Sequence, residues 1–123
     1  MLRSNPSYTF NIEKAAEPYI RRALTYSMNV LHKKGIPYPN EEGLLERFMK
    51  PSKKEQYRLN ESEIMTLCYS LRSSYDDKSS PFHQRGIDSF PVNLSYVCEL
   101  HNRLAAECQT RFKKKGRGKC ATR

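Results

Sequence analysis

A chain of 123 residues with 37% hydrophobic and 28% charged side chains is long enough for one ordinary domain and too short for two. Eight Tyr and five Phe exclude wholesale disorder, and no run approaches the ~18 apolar residues of a membrane span. The formal charge of +9 is concentrated at one end: RFKKKGRGKCATR, Arg111 to Arg123, holds seven Lys or Arg and no acid, whereas the preceding residues hold 15 basic and 13 acidic side chains.

Residues 1–17 read as a lead-in containing Pro6, with room for a short turn over Asn11–Glu17. MLRSNPSYTF lacks the apolar stretch of a secretory signal, so a reducing, cytoplasmic or nuclear setting is expected, with Cys68, Cys98, Cys108 and Cys120 as thiols. The first helix is predicted over Pro18–Lys34. Pro18 suits the first helical position and Gly35 the position just past the end. Ile20, Ala23, Leu24, Ser27 and Leu31 make one stripe at 3.6-residue spacing. After IPYPN, Asn40 is placed to cap a short helix over Glu41–Lys50, with Leu44, Leu45, Phe48 and Met49 on its apolar edge.

A polar, basic linker, PSKKEQYR, leads to a third helix over Glu61–Tyr75. Asn60 and Glu63 have capping-box spacing, and Ile64, Leu67, Cys68, Leu71 and Tyr75 form the stripe. The segment Asp76–Pro91 is long for a loop in a compact domain and carries Phe82, Ile87 and Phe90, so it either packs over the core or meets a partner. The last helix is predicted over Val92–Lys115, ended by Gly116, with Leu94, Val97, Leu100, His101, Leu104, Ala105, Cys108 and Phe112 on one face. No segment shows a convincing strand period. The expected fold is therefore all-α: one domain of about four helices over residues 1–112, an antiparallel hairpin of the third and fourth helices, and a basic tail over 113–123.

The chemistry-bearing residues do not converge on a catalyst. Cys98 and His101 are three apart on one helix, but the seven residues from His101 to Cys108 rise about 10.5 Å. Ligands of one zinc ion lie about 2.0–2.3 Å from it. Cys98, His101, Cys108 and Cys120 therefore do not form one site on an intact helix, and core thiols are expected. His83 has Asp76, Asp77 and Asp88 near it in sequence, yet no nucleophile elbow, phosphate-cradling glycine loop or two-histidine metal motif accompanies it. His32 lies at a helix end and His101 in an apolar stripe. No catalytic residue, metal or cofactor is expected. The final CATR has the cysteine of a prenylation box, but its last two residues do not fit one. With no anchor and no Trp, the polybasic end is not read as membrane-binding.

Charge points instead to a polyanion. Arg111, Lys113, Lys114, Lys115, Arg117 and Lys119 fall within nine residues, and Lys53, Lys54 and Arg58 in the linker could extend the same footprint. Such contacts position a nucleic acid without reading its sequence. Tyr26, Tyr38 and Tyr57 are candidates for stacking on single-stranded bases, against the commoner role of half-buried packing. The expected function is that of a non-catalytic, regulatory or accessory protein that binds DNA or RNA through a C-terminal basic arm. The alternative is a protein-interaction module or inhibitor, of the kind made by viruses and mobile elements. It would dock on a larger nucleic-acid-processing enzyme such as a polymerase or nuclease, with Phe82, Ile87 and Phe90 as anchors.

Overall fold

The computed structural model describes residues 6–50, 53–80, 82–83 and 93–112. Four α-helices dominate: α1 (Glu17–Lys33), α2 (Pro39–Met49), α3 (Glu61–Asp76) and α4 (Leu94–Arg111). No helix among the described residues is long and apolar enough to cross a membrane.

Local chemistry explains where each helix begins and ends. Pro18 lies in the first turn of α1, where a missing N–H leaves no bond unmade. Gly35 has φ +72°, and its N–H donates to His32 O (3.0 Å) while the Ile36 N–H donates to Leu31 O (2.9 Å). This pair of back-turned bonds satisfies the terminal carbonyls, and the left-handed conformation it requires favours glycine. At α2 the start lies earlier than the sequence suggests. Pro39 occupies the first turn and Tyr38 precedes it. Asn40 is inside the helix and donates to Ser62 Oγ (2.9 Å). The capping box of α3 is formed: Asn60 Oδ1 accepts from the Glu63 N–H (2.8 Å) and the Asn60 N–H donates to Glu63 Oε1 (2.9 Å). Asn60→Ala should cost about 1 kcal/mol, read as a shift in the urea midpoint. Asn93 caps α4 by accepting from the Tyr96 N–H (3.1 Å). The helix closes at Arg111, with Phe112 as its cap. The predicted continuation through 113–115 to Gly116 lies outside the described residues.

The expectation of an all-α fold is corrected by a two-stranded antiparallel sheet, β1 (Ser7–Asn11) with β2 (Gln56–Asn60). The register runs from Ser7 opposite Asn60 to Asn11 opposite Gln56. Period two is present in both segments. Tyr57 and Leu59 are buried between exposed Gln56 and Arg58, and Tyr8, Phe10 and Ile12 recur on alternate positions of the other segment. Each alternation spans only a few residues and sits in a polar setting, so composition masked it. The turn into β2 is fixed by Glu55, whose φ of +56° is unfavourable for a residue bearing a Cβ. Two bonds offset that cost: Ile12 N–H to Glu55 O (2.9 Å) and Lys14 N–H to Glu55 Oε2 (3.0 Å).

The inner face of this sheet closes one end of the helical core. Phe10, Ile12, Ile20, Leu24, Phe48, Leu59, Ile64, Leu67, Leu71, Leu100 and Leu104 are fully buried. Ser74 Oγ is buried without a hydrogen-bond partner, whereas two other buried polar groups pair across elements: Ser27 Oγ donates to Ser70 Oγ (2.9 Å) between α1 and α3, and the Tyr57 hydroxyl donates to buried Glu17 (2.7 Å). Such pairing removes most of the cost of burying a polar group.

Glu13, just before a 3-10 turn at Lys14–Ala16, ties the start of the fold to α4. Its carboxylate accepts from Arg103 (2.7 Å) and from the Tyr96 hydroxyl. Burial alone would push the Glu13 carboxyl up. Hydrogen bonds from Arg103 and Tyr96, with the Arg103 charge, outweigh it and hold the group down at about 2. A carboxyl depressed in the folded state contributes stability above its unfolded value near 4.5, and that contribution fades as pH falls toward 2. Solvent screening at this part-exposed site reduces the contribution to about 1 kcal/mol. Urea midpoints of the wild type should therefore drop toward those of Glu13→Gln between these two pH values. Parallel curves for the two proteins would show that the ion pair contributes nothing.

Candidate nucleic-acid interface

Arg111 and Phe112, the described residues of the basic C-terminal segment, are seated against β1. Phe112 meets the Tyr8 ring edge-on (centroids 5.0 Å, 70°) and stacks on Phe10 (6.4 Å, 19°). The Arg111 guanidinium lies 5.6 Å from the Tyr8 ring centre and 5.8 Å from that of Phe10, close enough for a cation–π attraction to each. It also pairs with Glu107 on the preceding turn of α4 (3.4 Å). Arg111 is thus partly committed to the fold and serves as the root of the segment. Lys113, Lys114, Lys115, Arg117 and Lys119 lie outside the described residues.

The root sits against β1, and β1 pairs with the strand that carries Arg58. Lys53 and Lys54 are exposed in the turn just before that strand. Arg47 of α2 reaches the same strand: its Nη2 donates to Arg58 O (2.6 Å), while Nη1 pairs with Glu63 (3.4 Å). The structure therefore brings Lys53, Lys54 and Arg58 to the two-stranded sheet whose inner side anchors Arg111. Arg21 donates to Phe48 O (3.0 Å), and Lys33 and Lys34 lie at the end of α1 beside Gly35.

The tyrosines considered for base stacking have structural partners. Tyr57 is buried and stacks on Phe48 (4.3 Å, 23°). The Tyr26 hydroxyl donates to Asp77, and burial together with that carboxylate pushes the phenol up to about 12. Tyr38 packs against the His32 ring (6.2 Å, 71°).

Phe82 is also reassigned. It is 3% exposed, meets Tyr19 edge-on (6.1 Å, 69°) and donates its N–H to Ser80 Oγ (3.2 Å). At this point the long loop packs on the core, so Phe82 does not present a docking anchor. Ile87 and Phe90 lie outside the described residues.

The thiols divide by burial. Cys68 and Cys108 are buried and Cys98 is exposed. Burial, reinforced by Cys108, pushes the Cys68 thiol up to about 12, and burial with nearby Glu61 also raises Cys108. Thiols held protonated in this way are poor nucleophiles and poor metal ligands. Cys98 and His101 share a cleft of about 210 Å³ with Arg72, Tyr75, Asp76, Val97 and Asn102. Among the described residues no three His, Cys, Asp or Glu side chains are placed to hold a metal ion.

Two features escaped the sequence reading. One is the outward face of the sheet, which depends on strands that composition concealed. The other is an apolar patch on α3, where Met65 and Tyr69 are 55% and 68% exposed. They line a shallow depression with Glu41, Glu61, Ser62 and Thr66. Their spacing of one helical turn, off the buried stripe, was the available signal.

Comparison with protein-family models, with curated proteins and with solved structures gives no match.

Proposed function

We propose that this protein is a non-catalytic, nucleic-acid-associated accessory or regulatory protein that grips phosphates with its C-terminal basic segment. The observation that carries this reading is the seven cations in Arg111–Arg123, rooted by Arg111 and Phe112 on the sheet that also displays Arg58, Lys53 and Lys54. Two aromatic rings hold the Arg111 guanidinium, so that one cation loses less conformational freedom on binding. The reading takes α3 and α4 as an antiparallel hairpin, in which Cys68 faces Cys108 and Tyr75 shares a cleft with Val97 and Cys98. That pairing delivers the end of α4 to the sheet.

The test is equilibrium binding of the full chain to a labelled DNA duplex and to single-stranded RNA across a salt series. Phosphate binding predicts an affinity that falls linearly in log–log form with salt. Absence of binding at low salt, or an affinity indifferent to salt, contradicts it.

A second reading, docking on a larger nucleic-acid-processing protein, is favoured by the exposed Met65 and Tyr69 on α3 rather than by the buried Phe82. Met65→Ala with Tyr69→Ala should then abolish capture of a polypeptide partner from nuclease-treated lysate while leaving helical content intact. Unchanged capture by the double variant contradicts docking at that patch.

A further inference from the structure

The sheet has a second face, turned away from the core, and its composition is one-sided. Ser7, Thr9 and Asn11 of β1 stand opposite Asn60, Arg58 and Gln56 of β2, and directly opposed residues of an antiparallel pair share a face. Asn11, Gln56 and Arg58 are exposed, and Ser7, Thr9 and Asn60 are half-buried. The face thus combines one guanidinium, two hydroxyls and three carboxamides, with no carboxylate and no aromatic ring. The rings of both strands, Tyr8, Phe10 and Tyr57, belong to the inner face. Of the acids flanking β2 in the chain, Glu55 accepts from the Lys14 N–H and Glu63 pairs with Arg47. Exposed Lys53 and Lys54 stand at the head of β2.

Resting on the nucleic-acid reading above, we propose that the partner is B-form duplex DNA and that this outward face of the β1–β2 ribbon enters its major groove. Three arguments favour a duplex of this form. A two-stranded ribbon fits the B-form major groove, about 12 Å wide. The corresponding groove of A-form RNA is too deep and narrow for side chains to read. Single strands are gripped by outward aromatic platforms, and this face has none. Five residues per strand span about 17 Å, enough to cross several base steps. The side chains suit base edges: Arg58 for guanine O6 and N7, Asn11 and Gln56 for adenine N6 and N7. Asn11 and Gln56 are 3.4 Å apart across the strands, with Gln56 Nε2 toward Asn11 Oδ1, so each orients the other.

The test uses the full chain and three labelled probes: a DNA duplex of ~20 base pairs, one of its single strands, and an RNA duplex of the same sequence. The wild type should prefer the DNA duplex by tenfold or more, as expected when base contacts add to phosphate contacts. Arg58→Glu, and independently Gln56→Glu, each place a carboxylate on an exposed position. Each should weaken duplex binding by roughly ten- to hundredfold with unchanged circular dichroism. A full-chain variant with Lys113, Lys114 and Lys115 changed to Ala reports on the basic segment separately. If that variant loses affinity while both ribbon variants bind the duplex like the wild type, the ribbon inference is overturned and the phosphate-gripping reading stands. Equal affinity for all three probes also overturns it. No binding to any probe overturns both.

Discussion

Deleting residues 113–123 should lower affinity for duplex DNA by roughly a hundredfold near ~0.1 M salt and flatten its salt dependence. The deletion removes six of the seven clustered cations. Each cation that neutralises a phosphate contributes about 0.9 to the slope of log affinity against log salt. Full engagement of the six would therefore take about 5 from that slope. Stability should be unchanged, because the cut falls after Phe112, whose ring already meets Tyr8 and Phe10. The expected signature is a protein with the same urea midpoint and a shallower, weaker binding curve. If the truncated chain keeps both affinity and slope, the segment is a solvated end with no role in binding.

Phe10→Ala should remove about 3–5 kcal/mol of stability, out of a total that for a domain of this size is about 5–15 kcal/mol. Phe10 is fully buried and stands where three parts of the molecule meet. Its ring stacks on Phe112 at the end of α4. Across the sheet it pairs with Tyr57, whose ring in turn stacks on Phe48 of α2. Truncation leaves a cavity that strands and helices cannot all close at once, which places the cost toward the upper part of the range. It also loosens the seat of Arg111, so nucleic-acid affinity should fall in conditions where the variant still folds. Chemical denaturation followed by circular dichroism gives the number. A shift under about 1 kcal/mol would mean that the ribbon is not integral to the core.

The helices were legible because their signals are local. Asn60 with Glu63, Pro18 in a first turn and Gly35 past the end of α1 are chemical stop and start marks that act within four residues. The stripes of α1, α3 and α4 repeat over at least three turns. The strands carry five residues each and lie far apart in the chain, with Ser7 opposite Asn60. Their pairing is a tertiary fact that no local window contains. Missing the sheet had three consequences. Tyr57 read as a stacking candidate or a half-buried ring instead of a core one. Arg58, Lys53 and Lys54 read as a possible extension of the basic footprint in a linker, without the strand that carries Arg58 and the turn that holds the two lysines. The end of α4 was expected to rest through Phe112 on a helical core, whereas its ring meets Tyr8 and Phe10 of β1. Phe82 illustrates a different limit: an aromatic residue in a long loop looks the same in sequence whether it covers the core or waits for a partner. The uneven charge was visible from the start, and the structure adds where it is tethered.

Purifying the full chain at low salt without nuclease, and examining both its ultraviolet spectrum and its accompanying protein bands, tests nucleic-acid association most directly. Nucleic-acid absorbance should travel with the protein, disappear after washing in ~1 M salt, where screening is nearly complete, and be sensitive to a DNA-specific nuclease but not to a ribonuclease. A plain protein spectrum, with a stoichiometric second polypeptide that survives nuclease treatment, would contradict it and give the molecule to a protein partner instead.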